Sequence, residues 1–113
     1  MKELLENIQR FWRSAYLVYK DEDYTSATIL YFKCLFGIFD YIIYSKQKLI
    51  PKDHTQRFEI LKEDYPKYYL ILDKLFQVYR DAYTNKINKE KCDEVVKNVL
   101  QIAKEQGIEF KSQ

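Results

Sequence analysis

The residues best suited to chemistry fall in one stretch of seven: Tyr79, Arg80, Asp81, Ala82, Tyr83, Thr84 and Asn85. A guanidinium offers a rigid fork of donors that matches a phosphate. Arg80 sits beside a carboxylate and between two tyrosines, and within about a turn Asn85 brings an amide that both donates and accepts. An arginine that holds a phosphate next to a ring that stacks on a base is a common way to bind nucleic acid. Arg80, Asp81, Tyr83 and Asn85 are therefore candidates for an RNA or nucleotide site. The structural alternative is an ion pair from Arg80 to Asp81, Asp73 or a neighbouring helix, a surface carboxylate at Asp81, and a turn or C-terminal cap at Asn85. Tyr79 and Tyr83 then serve as core and rim.

His54 is the single histidine and the one side chain whose ordinary pKa lies near neutrality. It reads either as a polar residue at a helix start or as an acid–base group beside Arg80. Around it Lys46, Lys48, Lys52 and Arg57 stand against Asp53, a local charge of +3. These are solvated cations or, with Lys46, Lys48 and Lys52 along a groove, contacts to a phosphate backbone. Lys33 and Asp40 lie in a strongly apolar segment, where Asp40 either pairs with Lys33 through a neighbour or orients Arg80. Much common chemistry is excluded by inventory. With one histidine and no C-x-x-C or H-E-x-x-H, zinc and di-iron sites lack ligands, and no metal or cofactor is expected. No nucleophile elbow supports a serine or cysteine triad.

The elements that must position these residues follow from composition and spacing. A chain of 113 residues, 47% hydrophobic and 32% charged, reads as one domain, residues 1–113. Two glycines and two prolines are too few for many short strands or for a glycine-built phosphate loop, so the fold class is all-α, an up-and-down bundle of four to five helices. Leu4, Leu5, Ile8, Phe11, Trp12, Ala15 and Tyr19 form one stripe of a first helix that ends near Lys20. Asp23 caps a second, Tyr24 to about Tyr44, which is apolar nearly all round apart from an edge through Lys33, Gly37, Asp40 and Tyr44. Such a helix sits centrally, meets a second chain, or does both.

A short third helix starts near Asp53, which has capping-box spacing to Gln56. Pro66 opens a fourth, with Tyr69, Leu72, Leu75, Phe76, Tyr79 and Tyr83 inward, and Asn88 caps a fifth, with Cys92, Val95, Val96, Val99, Leu100 and Ala103 inward and Gly107 as its stop. Cys34 and Cys92 fall on apolar stripes and are expected to be buried and reduced.

The Tyr79–Asn85 ending, the YTSATILYFKCLFGIFDYII helix and the KDHTQRFEIL segment together resemble the HEPN family, small all-helical domains of prokaryotes. Members carry an arginine, a polar residue, three further residues and a histidine. Arg80 and Asp81 occupy the first two places and Asn85 stands in the last. The resemblance implies a two-fold dimer with two motifs facing a cleft between subunits, where active members cut RNA with the arginine on the phosphate and the histidine moving a proton. An amide does not titrate near neutral pH, so Asn85 points to weak or absent cleavage. The resemblance also implies a partner for some members, a minimal nucleotidyltransferase antitoxin that modifies a tyrosine two places beyond the motif histidine. Ile87 holds that place here.

Three functions follow: a HEPN-like dimer that binds RNA or a nucleotide with little or no ribonuclease activity, possible in a toxin–antitoxin setting; a protein-interaction module; and a residual ribonuclease with His54 as acid or base. A homodimer is further expected because α-helical surface as apolar as Tyr24–Tyr44 would leave a large exposed patch on a monomer. A net charge of +2 and an N-terminus without a continuous apolar core fit a cytoplasmic protein with no membrane partner.

Overall fold

A computed structural model describes residues 1–111 as five helices: α1 (Lys2–Lys20), α2 (Tyr24–Gln47), α3 (His54–Asp64), α4 (Pro66–Asp81) and α5 (Lys89–Glu105). Their ends are set locally. The Asp23, Asp53 and Asn88 side chains each accept from the amide three residues on, at 2.9 to 3.0 Å, which satisfies one of the free donors of the first turn. At Asp53 the capping box is shifted by one residue: the Gln56 side-chain Oε1 accepts from the Lys52 backbone N–H. Tyr65 alone separates α3 from α4, and Pro66 keeps it out of helical geometry. Gly107, at φ 71°, ends α5 with the paired bonds Ile108 N to Ala103 O and Gly107 N to Lys104 O, the arrangement in which an achiral residue is preferred.

Contacts between distant residues give the topology. Ile8 meets Gly37, Trp12 meets Tyr31 and Tyr19 meets Tyr24, so α2 returns antiparallel along α1. Phe32 and Phe36 meet Tyr79 while Phe39 meets Tyr68, which runs α4 against α2. Tyr68 also bonds Glu105, so α5 descends beside α4 and parallel to α2. The chain is an all-α up-and-down bundle of four long helices with the short α3 laid across α4.

α2 lies at the centre. Between Tyr24 and Tyr44 Lys33 is the single exposed residue, and Phe32, Leu35, Ile38, Phe39 and Ile43 are fully buried. Each such side chain contributes about 1.5–3 kcal/mol by leaving water. α2 has the length and hydropathy, 1.5 over its most apolar window, of a membrane-crossing helix, but 67% of that window is buried inside the bundle.

This placement corrects several expectations. The apolar surface of α2 is covered by helices of its own chain, so it supplies no ground for a second subunit. α2 extends to Gln47 rather than about Tyr44, ending where Lys48 turns the chain at φ 56° with its N–H on the Tyr44 carbonyl. Asp40 is buried and not on a wet edge. Leu100 and Tyr83, expected inward, are 45% and 59% exposed. Cys34 and Cys92 are buried free thiols, each pushed up in pKa by burial.

Candidate functional site

The buried charged groups lie where α2, the start of α3 and the end of α4 meet. Asp40, the only carboxylate of α2, accepts from Arg57 through both oxygens, Nε at 2.8 Å and Nη2 at 3.0 Å. Both side chains are about nine-tenths buried. The guanidinium lies over the Phe36 ring, 4.9 Å from its centre, so its face is covered and its edge is spent on donors.

The third edge of that guanidinium, Nη1, reaches His54 Nδ1 at 2.7 Å. An arginine only donates, so Nδ1 accepts and the neutral ring carries its proton on Nε2. Phe36, Phe76 and Tyr79 surround the imidazole, with centroids 4.6, 5.5 and 5.7 Å away. Burial, and next the Arg57 charge, hold the His54 pKa below its ordinary value. The ring is thus a neutral donor, and its one lone pair is occupied. A general base needs a free lone pair, so His54 in this geometry is not set up to replace a catalytic histidine.

Tyr79 links this network to the expected motif. Its hydroxyl is 2.8 Å from that of Tyr83, with the rings edge-to-face. Burial and the Tyr83 bond push the Tyr79 pKa up to about 12, so it stays protonated. Arg80, one residue on, is exposed, and its guanidinium makes no ion pair or hydrogen bond to any described residue. The expected structural partners, Asp81 and Asp73, leave it free. Asp81 takes the Gln77 amide instead, at 2.8 Å. Asn85 lies in the turn that follows α4, its amide N–H bonded to the Asp81 carbonyl at 2.7 Å and its side chain exposed.

The structure thus brings His54, Tyr79 and Tyr83 into one row with Arg80 beside it, and it separates other candidates. Asp40 does not orient Arg80, because Arg57 occupies both its oxygens. Arg57 is a core residue and no part of a basic groove. Lys46, Lys48 and Lys52 are exposed, and Lys46 and Lys48 rest over the rings of Tyr65 and Tyr44. Ile87 is buried and its N–H bonds Thr25. Among the described residues no group of histidine, cysteine and carboxylate side chains could hold a metal ion.

Sequence reasoning missed the role of Arg57, which it grouped with the loop lysines. Two signals could have found it: Asp40 needs a cation because it is the lone carboxylate of an apolar helix, and Arg57 follows His54 by three residues, one helical turn. A scan of protein-family models, a search of curated proteins and a search of solved structures each return no match for this chain.

Proposed function

We propose that the protein is a HEPN-like helical dimer that binds RNA or a nucleotide at the end of α4, with weak or absent ribonuclease activity, in the setting of a toxin–antitoxin pair. The observation that carries the reading is Arg80: an exposed guanidinium without a carboxylate partner, one turn before a tyrosine that is 59% exposed. Tyr83 lies in the turn that ends α4, its backbone N–H bonded to the Arg80 carbonyl at 3.3 Å, so the reading puts the base next to an Arg80-bound phosphate against the Tyr83 ring. Two-fold pairing comes from the family resemblance. Asn85 cannot move a proton, and His54 has no free lone pair, which supports binding in preference to cutting.

The test is fluorescence anisotropy with a labelled single-stranded RNA at one low salt concentration, since phosphate contacts weaken as salt rises. Wild type is expected to bind and to leave the RNA intact on a gel, and Arg80→Ala to bind about tenfold more weakly, the loss of one charge-assisted hydrogen-bonding group. Light scattering is expected to return twice the 13.8 kDa chain mass. No binding by wild type at low salt overturns the reading in favour of a protein-interaction module.

A further inference from the structure

A buried ion pair is by itself weak evidence for stability, because desolvation costs about as much as the attraction returns. Asp40 and Arg57 have a more specific effect. By holding Nε and Nη2, the carboxylate aims the remaining Nη1 at His54. That contact selects one tautomer, and the three rings around the imidazole fix its plane. Two buried charges and three aromatic side chains therefore orient one half-buried ring whose Nε2 has no partner among the described residues.

The surroundings of that ring favour an anionic oxygen. Arg57 and Lys33 face it as cations and Asp40 and Asp53 as anions, but both oxygens of Asp40 are taken by Arg57 and one oxygen of Asp53 caps α3. Lys33 is exposed. From α4 the ring meets Phe76 and the protonated Tyr79. His54 is also the first residue of α3, where the helix dipole is positive.

We propose that His54 contacts the ligand, its Nε2–H donating to a phosphate oxygen of the RNA held at Arg80 and Tyr83, and that Asp40 and Arg57 are positioning residues that set its tautomer and orientation. The inference rests on the RNA-binding reading above. Tyr79 joins the two parts, since its ring touches both His54 and Tyr83. Different phosphates of one strand then meet Arg80 and His54.

The experiment joins nitrogen-15 NMR of the single imidazole to binding of the same labelled RNA. In the free protein at neutral pH, Nδ1 is expected as the unprotonated acceptor and Nε2 as the protonated nitrogen, and RNA is expected to shift the Nε2 signal. His54→Gln, which keeps a donor near the Nε2 position, should bind within about threefold of wild type, whereas His54→Phe, which keeps only the stacking, should lose about tenfold. The double variant Asp40→Asn with Arg57→Gln removes both charges together and should mix the two tautomers and weaken binding. A free ring protonated on Nδ1, or Arg80-dependent binding that His54→Phe leaves unchanged, overturns this inference alone. A wild type that binds no RNA overturns it together with the reading on which it rests.

Discussion

The two sides of α2 are built on different principles. Toward α1 and α5 its contacts are almost wholly apolar: Ile8, Trp12 and Ala15 meet it from α1, and Cys92, Val95 and Val99 from α5, all buried. Toward α3 and the end of α4 the same helix places Asp40 in a bidentate pair with Arg57 and sets a histidine on a wall of aromatic rings. The first side tolerates substitutions that keep volume and shape, as close-packed cores do. The second depends on donors, acceptors and charge, where the loss of one partner leaves the other stranded.

The comparison can be broken first on the apolar side. If that side opens only with the whole bundle, Cys34 and Cys92 should react with a thiol reagent at least about a thousandfold more slowly than a free thiol. Both are fully buried and burial disfavours their thiolates. Rapid labelling of either in the native protein would show that the core side is loose.

On the polar side Arg57→Ala should cost about 3–5 kcal/mol, because Asp40 is left as an uncompensated buried charge. The double variant Asp40→Asn with Arg57→Gln should restore much of that loss. Urea melts of the two give the difference, and equal destabilisation by both would show that packing and not charge holds this end together.

Gly37→Ala tests the closest approach of α1 and α2. A Cβ there would stand 2.9 Å from Ile8 Cγ1, well inside contact distance and against a buried side chain. Destabilisation of about 1–3 kcal/mol is expected, and combining it with Ile8→Ala, which removes Cγ1, should cost less than the sum of the two single variants.

A smaller effect should come from pH. The folded His54 pKa lies below its unfolded value, so the unfolded chain binds more protons as pH falls below the ordinary histidine range. Stability should therefore decline from neutral pH downward, the penalty being complete once pH passes the folded pKa. With one histidine in the chain, the slope between pH 7.5 and 5.5 should vanish in His54→Phe. The smallest expected change is Tyr83→Phe, about 1 kcal/mol or less, since it removes one hydroxyl bond at the surface rim. Under the proposed RNA-binding reading it should leave affinity intact while Tyr83→Ala lowers it.

Much of the fold was legible in the sequence, since helix starts at Asp23, Asp53 and Asn88 and the stop at Gly107 depend on hydrogen bonds that span only three to five residues. The same holds for the central place of α2, because a helix apolar on all sides has to be covered on all sides. The site was legible in part. Arg80, Tyr83 and Asn85 stand out by type and spacing, and all three prove exposed. Two matters were decided by tertiary structure alone. Which cation meets Asp40 depends on how α3 lies across the bundle, for the pair joins residues 17 apart through a loop whose course no local rule specifies. Whether Arg80 is paired or free depends on which face of α4 packs on α2, and that is fixed by Leu72, Leu75 and Tyr79 taking the inward side. Local hydrogen bonds and periodicity act within a few residues and can be read along a line. Partnership of buried charges is a property of the assembled bundle, because only there does leaving water make an unpaired charge intolerable.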